Sequence, residues 1–126
     1  MAGSKILVVD EDLASRNYLA ATLRNEGYEV LTAASGKEGL ISAWRDHPQL
    51  VIADPAISDL AGEELASRLR ADGRTADVPL VALSSDAKPI RRQQCLQSGF
   101  KEYLLKSPEA MLPRTQMAEI PSIPPK

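Results

Sequence analysis

The chain reads as a doubly wound α/β domain, a five-stranded parallel sheet with helices on both faces, and three observations predict this. Five short apolar runs, 6–9, 28–32, 50–53, 78–83 and 102–105, lack the strict alternation of half-exposed strands, as strands buried on both faces do. Longer segments with helical spacing separate them, and parallel strands need such crossovers, which are right-handed. Four of the runs close on polar residues: Asp10-Glu11, Asp54, Ser84 and Lys106. Ligands of open α/β sheets collect at the carboxyl ends of the strands.

Each element has a local reason. After the first strand, Asp12 caps a helix that runs to Asn25, with Leu19 and Leu23 one turn apart and Gly27 in the stop position. The second strand is 28–32. A helix over 36–46 carries Leu40 and Trp44 at i, i+4 spacing, and Pro48 ends it. The third strand closes at Asp54. A helix over 62–71 turns Leu65 and Leu69 inward, and the fourth strand, 78–83, is entered through Pro79, where a missing donor is tolerated. Pro89 opens a fourth helix that Gly99 closes, and 102–105 is the fifth strand.

The tail differs in kind. Ser107-Pro108-Glu109 is a good helix start, but Pro113 interrupts it, and Pro121, Pro124 and Pro125 follow. The division expected is a domain over 1–107 and a proline-rich tail or linker over 108–126, with the last helix short, broken or absent. The sheet face that a full helix would cover then calls for an irregular segment anchored by Met111, Leu112, Met117 and Ile120, or for a second copy or an adjoining output domain. Where such a segment does not cover the face, a homodimer or an output domain beyond the C-terminus is the alternative expectation.

Composition narrows the class. The 126 residues suit one domain with a real core. A net charge of −2 with dispersed positive residues shows no nucleic-acid footprint. The apolar runs are too short to cross a bilayer and no signal-peptide pattern opens the chain, so a cytoplasmic address is expected. Cys95 has no cysteine partner and reads as a small buried residue, Trp44 as a packing residue, His47 as a surface residue and Arg91-Arg92 as a solvated helix face.

The strand-end residues carry the chemistry. Asp10, Glu11 and Asp54 gathered together suit a hard cation with oxygen ligands, magnesium rather than zinc, since no His or Cys cluster is present. Without a cation such crowding raises carboxylate pKa values, and Lys106 offsets part of the charge. A carboxylate beside a metal and a lysine can act as a nucleophile toward phosphorus, and Asp54, alone at its strand end, fits that role.

Residues 5–106 resemble the receiver domain of two-component response regulators, the CheY-like family. The resemblance rests on Ile-Leu-Val-Val-Asp-Glu-Asp (6–12), Gly-Tyr-Glu-Val (27–30), Ala-Ser-Gly-Lys-Glu-Gly-Leu (34–40), Asp54 with Gly62 behind it, Pro-Leu-Val-Ala-Leu-Ser (79–84) and Ser-Gly-Phe-Lys-Glu-Tyr-Leu-Leu-Lys (98–106), in the family's order and spacing. It implies a flavodoxin-like strand order 2-1-3-4-5. It also implies that Asp54 is phosphorylated from a histidine kinase, a phosphotransfer protein or a small phosphodonor. Magnesium would be held by Glu11 directly, by Asp10 through water, by Asp54 and by the carbonyl of Ala56. Ser84 and Lys106 would hold the phosphoryl oxygens, and Tyr103 would be the aromatic switch. The chemistry would be magnesium-dependent self-phosphorylation and dephosphorylation, without enzymatic turnover of a substrate.

This sequence departs from the family at Pro55, at Ser58 where proline is common, at Ser85, and at Ser107 between Lys106 and Pro108. Pro55 removes an N–H beside the nucleophile and is expected to reshape that loop; a trans Lys106–Ser107 bond is expected. Two other readings stay open: a receiver-like interaction module that works without phosphorylation, and an enzyme on the same architecture. The last is weakened by Ala56 standing where an aspartate-dependent phosphatase would want a second acid, and by the absence of a glycine-rich phosphate loop.

Overall fold

The computed structural model describes residues 4–106. In chain order they form β1 (Lys5–Val9), α1 (Leu13–Asn25), β2 (Glu29–Ala33), α2 (Gly36–Asp46), β3 (Leu50–Ala53), α3 (Gly62–Ala71), β4 (Leu80–Ser84), α4 (Pro89–Ser98) and β5 (Glu102–Leu105). The strands make one parallel sheet in the order β2-β1-β3-β4-β5. The expectations about Ser107 and the tail, including the domain boundary, the last helix and the dimer, lie outside the described residues.

Alternate side chains of each central strand serve two separate cores, which is why the runs read as continuously apolar. Leu7, Val9, Val51, Ala53, Leu80, Ala82 and Tyr103 face one way and pack with Leu40 of α2, Leu65 and Leu69 of α3 and Cys95 of α4. Ile6, Val8, Leu50, Ile52, Val81, Leu83 and Leu104 face the other way and pack with Leu19 and Leu23 of α1. Cys95 is buried as expected, and Trp44 packs partly buried against the first core with the Arg74 guanidinium over its ring. His47 is exposed.

Both boundaries of β2 and both of β4 differ from the sequence reading. The Tyr28 N–H donates to the Leu23 carbonyl, completing the turn that ends α1, so β2 begins at Glu29 and runs on to Ala33. Pro79 has no N–H to give and β4 begins after it, although its carbonyl still accepts from Val51. At the other end of β4, Ser84 is inside the strand because its carbonyl accepts from the Lys106 N–H at 2.8 Å. The helix ends follow local chemistry: the Asp12 carboxylate accepts from Ser15, Ser35 caps α2 by accepting from Glu38, and Gly27 takes φ +97° just beyond α1. His47, at φ 53°, closes α2 in the left-handed region just before Pro48.

Candidate functional site

Backbone hydrogen bonds align the strand ends at one edge of the sheet. Asp10 N donates to the Ala33 carbonyl at 3.1 Å, Asp54 N to that of Val9 at 2.9 Å, and Lys106 N to that of Ser84. The alignment brings the Lys106 ammonium within 2.7 Å of Asp54 Oδ2 and 2.9 Å of Asp10 Oδ2. The side chains are 12, 16 and 7% exposed, respectively, so water screens the triad little. The remaining oxygens are also engaged: Asp10 Oδ1 accepts from the Asp12 N–H and Asp54 Oδ1 from the Ala56 N–H, both at 2.9 Å.

The electrostatics follow this packing. Burial holds the Asp10 carboxyl above its ordinary pKa, the Lys106 and Asp12 donors oppose the rise, and the neighbouring Asp54 charge adds to it. Burial alone would lower Lys106, but its hydrogen bonds and charge attraction to Asp54 and Asp10 outweigh it, and its pKa lies above the ordinary lysine value.

Glu11 stands apart from this triad. Ser58, in the loop after Asp54, donates its backbone N–H to Glu11 Oε1 at 3.1 Å and its hydroxyl to Glu11 Oε2 at 2.9 Å. Among the described residues no three His, Cys, Asp or Glu side chains cluster closely enough to hold a metal ion. The donor set nevertheless fits magnesium in kind: it is made of oxygens, and Asp10 and Asp54 already flank one cationic group, the ammonium of Lys106. Ala56, whose carbonyl is the remaining expected ligand, lies exposed in the same loop.

Ser84 and Tyr103 meet at the β4–α4 loop. Ser84, buried to 2% exposure, accepts from the Asp86 N–H through its hydroxyl at 3.0 Å. The Tyr103 ring is inward, and its hydroxyl donates to the Asp86 carbonyl at 2.6 Å. Burial raises the Tyr103 pKa, and hydrogen bonding with Ser84 opposes that rise.

Several residues around the site escaped the sequence reading. Asp59 accepts from the Gly36 and Lys37 N–H groups at 2.8 and 3.1 Å, tying the loop after Asp54 to the positive end of α2. Arg16 donates to the Asp10 carbonyl at 2.8 Å. Arg91 corrects an expectation: it is no solvated face, for its guanidinium reaches Glu63 Oε2 at 2.6 Å and the Pro55 carbonyl at 3.0 Å, whereas Arg92 is exposed. The loop at Pro55 is accordingly held through a carbonyl, which also accepts from the Gly62 N–H.

A parallel 2-1-3-4-5 sheet with two acids, a hydroxyl and a lysine at its carboxyl edge defines the receiver class of signalling domain. The chain belongs to the response regulator receiver domain family, whose family model matches residues 6–114. A 14.6 kDa protein of Leptolyngbya boryana is 38% identical over 106 residues, which are 84% of this chain and 81% of that one. The phosphate regulon transcriptional regulatory protein PhoB of Pseudomonas aeruginosa is 31% identical over 116 residues, 90% of this chain but 51% of the regulator. Among solved structures, the receiver domain of a sensor histidine kinase of Pseudomonas aeruginosa, with magnesium coordinated in its active-site cleft, superposes with TM-score 0.83 at 30% identity, covering 94% of both chains. A chemotaxis response regulator of Vibrio cholerae gives 0.80 at 29% identity, over 91% of this chain and 98% of that one. No helix among the described residues is long and apolar enough to cross a membrane.

Proposed function

We propose that this receiver domain accepts a phosphoryl group on Asp54 and that the modification changes the surface it offers to partners. The observation that supports this most is the Lys106 ammonium lying between Asp54 and Asp10, at 2.7 and 2.9 Å. A carboxylate oxygen of Asp54 forms the bond to phosphorus while the donor's bond to phosphorus breaks, and the electron pair leaves with the imidazole of a phosphohistidine or the carboxylate of an acyl phosphate. Lys106 and the Ser84 hydroxyl would then donate to the phosphoryl oxygens. Asp10, Glu11, Asp54 and the Ala56 carbonyl would hold magnesium, which when bound supplies neutralisation of the charge that gathers there.

The readout would begin at Ser84. If its hydroxyl turns to a phosphoryl oxygen, the Asp86 N–H loses its acceptor, and the loop that Tyr103 also holds is freed to rearrange. The output is a shift in population between two arrangements. A histidine kinase or phosphotransfer protein is the donor this reading calls for, in keeping with the likeness to the receiver domain of a sensor histidine kinase.

Intact-mass measurement after incubation with acetyl phosphate and magnesium tests the proposal. One added phosphoryl group is expected on the wild type and none on Asp54→Asn. An unmodified wild type across a range of donor concentrations would favour the module that acts without phosphorylation.

A further inference from the structure

We infer that Ser58 sets the divalent-cation affinity of this site by holding Glu11 away from Asp10 and Asp54; this rests on the reading of those three acids as metal ligands. Glu11 follows β1 and Ser58 lies in the loop after β3, yet both Glu11 oxygens accept from that single residue, at 3.1 Å from its N–H and 2.9 Å from its hydroxyl. Asp10 and Asp54 converge on Lys106, and Glu11 does not complete a three-acid cluster with them. A cation that recruits Glu11 must therefore compete with two donors aimed at the same carboxylate. Both residues are exposed, so water can replace either donor, and the clamp tunes affinity without closing the site.

The backbone and hydroxyl donors can be removed in steps. Alanine deletes the hydroxyl and keeps the N–H, whereas proline deletes both. A single hydrogen bond to an exposed charged group corresponds to about a 3-fold change in affinity, and the pair to about 10-fold. Ser58→Ala is expected to bind magnesium about 3-fold more tightly than the wild type, and Ser58→Pro about 10-fold more tightly. In a Glu11→Gln background, where the anionic ligand is gone, the Ser58 substitutions should change magnesium affinity little.

Magnesium titration of the full chain, followed by amide NMR shifts of the residues around Asp54, measures this without any phosphodonor. Tighter binding in Ser58→Ala, with the gain lost in the Glu11→Gln background, supports the inference even if Ser58→Pro does not fold. Binding detectable in Ser58→Ala but too weak to detect in the wild type supports it equally. Equal affinities in wild type and variants, or weaker binding in Ser58→Ala, would overturn the inference and leave the metal reading standing. Absence of binding in every protein would overturn both.

Discussion

The hydroxyl of Tyr103 and the backbone carbonyl of Asp86 are joined by a 2.6 Å hydrogen bond, and the Asp86 N–H is joined to Ser84 on its other side. One residue of the β4–α4 loop is thus held from the strand end where phosphoryl chemistry is proposed and from the aromatic side chain of β5. Lys106 N also bonds to the Ser84 carbonyl, so the ends of β4 and β5 are joined to each other, and Asp86 is where the loop between β4 and α4 is tied to both.

Tyr103→Phe should therefore loosen the loop while sparing the sheet. The ring and its core packing remain, and one partly buried hydrogen bond is lost, at a cost of about 1 kcal/mol. Urea unfolding should show that loss with an unchanged m-value, and amide exchange should quicken at residues 86–88 while β4 stays protected.

The close packing of Pro55 on α3 predicts a glycine whose replacement is costly. A Cβ at Gly62 would lie 2.6 Å from the Pro55 Cβ and 2.8 Å from its Cα, and the latter is backbone that cannot rotate away. Gly62→Ala should destabilise by roughly 2 kcal/mol despite the better helix propensity of alanine. Gly73→Ala is the control, since a Cβ there meets nothing within 4 Å, and it should change stability by less than about 1 kcal/mol. Thermal unfolding of the two variants checks the contrast.

What the sequence made legible is what local spacing carries. Asp12 reads as a cap because its partner, Ser15, is three residues away, and the strands read as buried because both of their faces are apolar. The Asp10, Asp54 and Lys106 cluster was legible because each residue ends a strand and a parallel sheet aligns those ends. Nothing local marks Ser58 as the partner of Glu11, 47 residues earlier, or Asp59 as the acid at the start of α2, 23 residues from Gly36. Arg91 looked solvated because its partners, Glu63 and the Pro55 carbonyl, are brought to it only by the packing of α3 and the Asp54 loop against α4.

That packing makes Arg91 more than half of an ion pair. Its 2.6 Å bond to Glu63 involves a carboxylate side chain that is 41% exposed, and solvent screening keeps the contribution of that pair small. The 3.0 Å bond to the Pro55 carbonyl is partly buried and ties the loop after Asp54 to α4. Arg91→Ala should cost about 1–2 kcal/mol and Glu63→Gln less than 1 kcal/mol. Equal losses in chemical denaturation would show that the ion pair, and not the loop contact, is what Arg91 contributes.

The buried charge at Asp10 gives a pH dependence whose sign is opposite to that of the surface acids. Desolvation raises the Asp10 pKa in the folded state, so between its ordinary value and the raised one the native state binds more protons than the unfolded chain. Stability from this group is fully present below the ordinary value and is lost as pH rises through the raised one. Asp72, paired with Arg74 and lowered to about 2, behaves the other way: its contribution is present above the ordinary carboxylate value and is lost as pH falls toward about 2. The two windows lie on opposite sides of the ordinary aspartate value, so a single variant separates them. Asp10→Asn, measured with a chelator present, should flatten the fall in stability just above that value, by at most about 1.4 kcal/mol per pH unit, and leave the acid limb unchanged. The slope is the readout and not the absolute stability, because an amide NH₂ would have to face either the Asp12 N–H or the Lys106 ammonium. Urea unfolding at a series of pH values from the acid limb to neutrality decides the point: an identical slope in wild type and variant would mean that Asp10 titrates in the folded protein as it does in the unfolded chain, with Lys106 fully compensating its burial.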